Sequence, residues 1–210
     1  MKAPPFLVLA TRNRGKIREF QRLLGKLGIR LRSLEEFPGV PEPLEGGRSY
    51  EENAREKALL AARATGLPAL ADDSGLEVDA LGGEPGLRSA RYSGGSSREN
   101  IELLLARLRS VPREKRTARF RCVVVVAKPD GSALVAEGSC EGIVLDAPRG
   151  EGGFGYDPVF LDPESGKTFA EMSPEEKDRK SHRGRALREL REKLPGFLRD
   201  DAPIGGPDGG

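Results

Sequence analysis

The chain has 210 residues, 37% hydrophobic and 32% charged, with a formal net charge of +2. That length allows one sizeable core or two small lobes sharing a sheet, and the near-neutral charge argues against a general attraction to nucleic acid. Cys122 and Cys140 have neither metal-ligand spacing nor a disulfide framework and read as reduced packing thiols, while no apolar run reaches the length of a membrane span or a signal-peptide core, so the expected compartment is the cytoplasm.

Phe6-Leu7-Val8-Leu9-Ala10 reads as a buried first strand running into Thr11-Arg12-Asn13-Arg14-Gly15-Lys16. Ile17, Phe20, Leu24 and Leu27 then recur at helical steps, with a stop near Gly28. A strand, a polar turn with glycine and a helix start together present free backbone N–H groups and the positive end of a helix dipole, which is a phosphate site in outline. It is not a Walker A loop, because Ala10 stands where that loop needs Gly and Ile17 where its Ser or Thr would hold magnesium. An ordinary turn with solvated basic side chains fits the same letters.

Residues 30 to 48 are rich in Pro, Gly and Glu and read as a loop with one short strand; Glu45 lies there beside Gly46-Gly47. Ser49-Tyr50-Glu51-Glu52 is a capping box opening an Ala-rich helix to about Thr65, stopped by Gly66. Asn53 and Lys57, four apart, share a face of that helix.

The stretch Ala69-Leu70-Ala71-Asp72-Asp73-Ser74-Gly75-Leu76 places two carboxylates and a hydroxyl between apolar runs. Buried acids need a cation or donors, and a divalent metal is one answer. Neighbouring side chains of an extended segment point to opposite faces, so one of Asp72 and Asp73 serves the site and the other braces it. Asp-Asp-Ser-Gly is also good turn chemistry.

Residues 81 to 95 form a long Gly-rich loop of the kind that is often functional. A second capping box over 96 to 99 starts a helix with Ile101, Leu104, Leu105 and Leu108 on one face. Phe120 to Ala127 holds four consecutive valines and no alternation, which predicts a central strand covered on both faces, with Lys128-Pro129-Asp130-Gly131 turning into a partner over 133 to 137 and an extension over 141 to 145. In Gly152-Gly153-Phe154-Gly155 three glycines surround a ring that can either stack on a nucleobase or fill a tight bend. A third capping box over 173 to 176 opens a short helix carrying Lys177, and Ser181-His182-Arg183-Gly184 begins the last helix, with Leu187, Leu190 and Leu194 inward. His182, the single histidine, suits binding better than base catalysis. Residues 201 to 210 have the composition of a disordered tail behind a single domain over 1 to 200.

Six strings, in order, resemble the house-cleaning inosine/xanthosine triphosphate pyrophosphatase family: Thr11-x-Asn13-x-x-Lys16, Glu52-Asn53-Ala54-x-x-Lys57-Ala58, Ala71-Asp72-Asp73-Ser74-Gly75-Leu76, Pro85-Gly86-x-x-Ser89-Ala90-Arg91-Tyr92, Gly152-Gly153-Phe154-Gly155-Tyr156-Asp157-Pro158 and Ser181-His182-Arg183-Gly184. The resemblance implies an α/β fold with an elongated central mixed sheet flanked by helices, two lobes with the active-site cleft between them, and a homodimer. It implies Mg2+-dependent attack of water on the α-phosphorus of ITP, dITP or XTP, giving the nucleoside monophosphate and pyrophosphate. Carried over by position, Asp73 is the proton acceptor and metal-linked acid, and Glu45 the second carboxylate near magnesium. Thr11, Arg12, Asn13, Arg14, Gly15, Lys16 and Lys57 hold phosphates, and Ser74 contacts substrate. Phe154, Gly155, Tyr156, Asp157, Lys177, His182 and Arg183 surround the base, with donors from Arg183, Lys177 or the backbone near His182 pairing with a 6-oxo group. The competing expectations are a single-stranded RNA-binding module and a pyrophosphatase acting on another damaged nucleotide.

Overall fold

A computed structural model describes residues 6–25, 28–41, 46 and 48–199. Glu45 and the tail over 201–210 lie outside the described residues. Strands β1 (Phe6–Leu9), β2 (Arg30–Ser33), β3 (Ala69–Val78), β4 (Thr117–Ala127), β5 (Ala133–Val144), β6 (Phe160–Asp162) and β7 (Lys167–Thr168) form one sheet in the order β2-β1-β3-β4-β5-β6-β7. The pairs β1 with β2 and β1 with β3 are parallel, and every later pair is antiparallel. β3 is therefore where the sheet changes sense, and the Asp72-Asp73-Ser74 string lies in its middle, with Asp73 opposite Val123. The turn reading of that string is overturned: β4 supplies the ladder that keeps it extended.

Helices α1 (Arg14–Gly25) and α5 (His182–Arg199) cover one face of the sheet, and α2 (Tyr50–Thr65) covers the other. The valines of β4 divide between them: Cys122, Val124 and Val126 pack with Phe20, Leu24 and Leu190, whereas Val123 and Val125 pack with Ala54, Ala58 and Ala61. A strand covered on both faces has no polar side to alternate with. The alanines let α2 lie close to the sheet. A third cluster, with Phe120, Phe160 and Phe169 against Ile101 and Leu104 of α3 (Ser97–Arg107), builds the distal lobe, and the short α4 (Pro174–Lys180) leads into α5. The cleft opens between the two lobes.

Several local expectations are corrected. Ser96 and Glu99 close a full capping box, but Ser49 and Ser173 make only the forward half, because Glu52 accepts from Arg48 N and Glu176 engages Lys167. Ser33 and Glu36 form a box missed in the 30–48 loop. The segments over 133–137 and 141–144 are one strand, which stops before Leu145, and residues 86–91 form a 3-10 turn rather than structureless loop. α5 continues through Pro195, with Leu194 and Leu198 buried on either side of it, so the packed face outweighs the lost backbone bond.

Candidate active site

A cleft of about 580 Å³ has Lys16, Lys57, Asp73 and Phe154 among its walls. These residues come from α1, α2, β3 and the loop after β5, so tertiary packing alone brings them together. Thr11, Arg12, Asn13, Ser74, Gly155, Tyr156, Asp157, Lys177, His182 and Arg183 also line it. Arg14 is exposed outside it, and Gly15 is buried beneath Phe154.

At the start of α1, Asn13 Oδ1 accepts from the N–H groups of Gly15 at 2.9 Å and Lys16 at 3.1 Å. These donors are thus satisfied by a cap, and in this arrangement the anion-binding capacity of the turn falls mainly to side chains.

The alternation of β3 sends Asp72 and Asp73 to opposite faces. Asp73 points toward α2, where Asn53 Nδ2 donates to Oδ2 at 2.9 Å and Lys57 Nζ lies 3.3 Å from Oδ1. Asp72 points toward α1 and α5, with Lys16 Nζ and Arg183 Nη2 both 3.0 Å from Oδ2. Burial alone would raise the Asp72 carboxyl, but Lys16 and Arg183 together hold it well below the usual carboxylate range.

Arg183 also donates to Ser74 Oγ at 3.0 Å and to Glu19, and Glu19 in turn binds Lys177 Nζ at 2.7 Å. Lys177 also donates to Asp157, which accepts from Phe154 N at 2.7 Å. The result is one buried chain of charges: Lys16, Asp72, Arg183, Glu19, Lys177, Asp157. Burial would raise Glu19, yet Arg183 and Lys177 bring it to about 2. For Asp157 burial outweighs Lys177 and its pKa is raised. Glu19 and Asn53 were not among the expected site residues. An acid one turn beyond Lys16 on a helix otherwise read for its apolar stripe gives no local sign that it is buried.

This chain of charges sets how many donors the expected base pocket has left. Lys177 and Arg183 are only 4% and 1% exposed and carboxylates already hold them, while Arg183 Nε has no hydrogen-bond partner among the described residues. Of three lysine hydrogens two are taken, leaving Lys177 one to offer. His182 is buried and stacks on Phe120 with ring centroids 4.7 Å apart; burial and then Arg183 lower its pKa, which keeps the imidazole neutral.

The Phe154 ring lies with Lys177 Nζ 4.9 Å from its centroid on one side and Gly15 on another, where an added Cβ would come within 2.6 Å of ring carbons. Gly153 has φ 71°, and a Cβ there would collide with Asp157 Oδ2, so glycine is required for the bend that aims Phe154 N at that carboxylate. Tyr156 ties this loop to the 3-10 turn by donating its hydroxyl to Ser89 O at 2.9 Å.

Among the described residues there is no group of three or more His, Cys, Asp or Glu positioned to hold a metal ion, and no helix long and apolar enough to cross a membrane.

A family model described as the Ham1 family matches residues 7–193. A dITP/XTP pyrophosphatase of Thermus thermophilus is 59% identical over 187 residues, covering 89% of this chain and 90% of the relative. One from Geobacter sulfurreducens is 54% identical over 190 residues, covering 90% and 96%. The solved structure of a HAM1 protein from Coxiella burnetii superposes with a TM-score of 0.82 at 41% identity, covering 91% of this chain and 99% of that one.

Proposed function

The chain belongs to the Ham1 family, and from that premise we propose that it hydrolyses the non-standard purine nucleoside triphosphates dITP, ITP and XTP to the monophosphate and pyrophosphate. It is a nucleoside triphosphate pyrophosphatase, a hydrolase, as its relatives are named. The observation that carries the mechanism is the meeting of Lys16, Lys57, Asp73 and Phe154 around one cleft.

A triphosphate carries about four negative charges, and catalysis at phosphorus is mostly positioning and charge neutralisation. Lys16 and Lys57 are half-buried beside the two acids and supply cations on either side of β3, with Thr11 and Arg12 at the mouth of the same turn. Asp73 is the general base. Asn53 and Lys57 fix its orientation and leave further lone pairs on both oxygens for a water proton.

The donor set fits Mg2+. Asp73 offers only oxygen, its side chain is 13% exposed at the cleft, and Asn53 and Lys57 leave lone pairs on its oxygens. Magnesium is commonly held by one or two carboxylates together with substrate phosphates rather than by an all-protein cage. Asp73 and Glu45 are the proposed ligands. When bound, the ion would neutralise phosphate charge and lower the pKa of a water.

At the other end Phe154 and His182 flank the base, and the remaining Lys177 hydrogen meets a 6-oxo group. A 6-amino group would leave that buried donor unpaired, the kind of loss that gives strong discrimination. We place the reaction in a cytoplasmic homodimer whose catalytic unit spans residues 1–200, with 201–210 as a tail. A panel of nucleoside triphosphates with Mg2+, assayed separately for pyrophosphate and orthophosphate, tests the reading. Pyrophosphate from ITP, dITP and XTP is expected; equal hydrolysis of ATP, or orthophosphate as product, would overturn it.

A further inference from the structure

Arg22 on α1 and Asp178 on α4 have no part in the mechanism above, and their geometry is specific. Arg22 Nε donates to Asp178 Oδ2 at 3.0 Å and Nη2 donates to Oδ1 at 2.9 Å. Two parallel bonds of this kind fix orientation as well as distance. The aspartate side chain is 13% exposed and the arginine 32%, so the pair is partly shielded from water and salt.

Lys16, Glu19 and Arg22 are spaced three apart on α1 and share a face. Their partners form three steps outward from the sheet: Asp72 for Lys16, Arg183 and Lys177 for Glu19, Asp178 for Arg22. Asp178 directly follows Lys177. Its carbonyl oxygen fills the space that a Cβ at Gly184 would need, so α4 and the first turn of α5 meet backbone to backbone.

α4 has only seven residues. From the distal lobe it is held by Glu176 to Lys167 at 3.1 Å, and by Lys180 to Asp162 at 2.9 Å and Glu164 at 2.6 Å. From the side of α1 it is held by Glu19 to Lys177 and by the Arg22 fork. The fork thus joins the helix bearing Lys16 to the helix bearing Lys177.

We propose that Arg22 and Asp178 are a positioning pair, a clasp between α1 and α4 that holds Lys177 at the depth where its ammonium meets Glu19, Asp157 and the purine base. The inference rests on the reading that Lys177 faces the base. Neither member of the pair touches substrate; both act through Lys177. Opening the clasp lets α4 move with the distal lobe, which weakens base binding in the ground and transition states alike, so KM rises while kcat holds.

The test uses the full chain with Mg2+ and the variants Arg22→Ala, Asp178→Asn and Arg22→Lys. Steady-state pyrophosphate release from ITP and ATP is measured together with amide hydrogen exchange over residues 174 to 181. Arg22→Ala and Asp178→Asn should raise KM for ITP about fivefold, the size set by a well-formed, partly exposed ion pair, with kcat changed less than about twofold and exchange in α4 accelerated. Arg22→Lys should fall between, because an ammonium cannot make the fork. Unchanged KM and unchanged exchange would overturn the clasp, and so would a lowered melting temperature with KM unmoved. A parent enzyme that released no pyrophosphate from ITP would instead sink the functional reading, and the exchange comparison would still decide whether the pair orders α4.

Discussion

Two adjacent Asp→Asn substitutions should have opposite consequences. The Asp72 side chain is 0% exposed and its partner Arg183 1%, while Lys16 is 15% exposed. Neutralising Asp72 removes the counter-charge that Lys16 and Arg183 share and leaves Arg183 with Glu19 alone. Removing one partner of a buried pair costs about 3–5 kcal/mol. Asparagine keeps an oxygen able to accept from Arg183 Nη2, which sets the expectation at the lower end, about 3 kcal/mol. For a chain of this size that is a fall in Tm of roughly 6–12 °C.

Asp73 is different: its side chain is 13% exposed at the cleft, and asparagine can still accept from Asn53. Asp73→Asn should cost about 1 kcal/mol or less yet abolish pyrophosphate release. The chain has no tryptophan, so urea unfolding is best followed by far-ultraviolet circular dichroism, with the slope m required to match the parent. Equal destabilisation by both variants, or an Asp72→Asn protein within about 1 kcal/mol of the parent, would refute the division between bracing and catalysis.

Acid stability should report on Glu19. Its folded pKa of about 2 lies below the ordinary 4.5, so its contribution is present above 4.5 and is lost as pH falls toward 2. Glu19→Gln should flatten the dependence of the urea midpoint on pH in that window; an unchanged slope would show that Glu19 is not held as described. Gly15→Ala would set a Cβ 2.6 Å from Phe154 Cγ and Cδ1 and push the ring aside, so KM for ITP should rise; an unaltered KM would remove Phe154 from the base site. Gly75→Ala would drive its Cβ into Gly86 O, Tyr50 Oη at 2.6 Å and Ser89 Oγ at 2.9 Å, and should destabilise by about 2–3 kcal/mol in thermal unfolding. Chelation of divalent ions should stop turnover and magnesium should restore it; full activity in excess chelator would rule out the proposed ion.

Much of the fold is local chemistry. The valine run within 122–127 had to be a strand buried on both faces, Gly66 had to stop α2 in a left-handed turn, and the glycines around Phe154 had to bend there. Such signals involve residues close in sequence and need no partner to be read. The half-made boxes at Ser49 and Ser173 show the limit: Glu52 and Glu176 each had a better donor than the cap, and that choice depends on neighbours outside the motif.

By itself the order of residues determined the family and named the proposed carriers of its chemistry: the acids of β3, the lysines at 16 and 57 and the ring at 154. Only the tertiary structure decided how their charges are shared. Glu19 lies on α1, Arg183 on α5 and Lys177 on α4, and their pairing depends on α1 and α5 packing on one face of the sheet at a particular height. A charge is assigned its role by what surrounds it within a few ångströms, and for residues 164 positions apart, as Arg183 and Glu19 are, the folded chain alone supplies those surroundings.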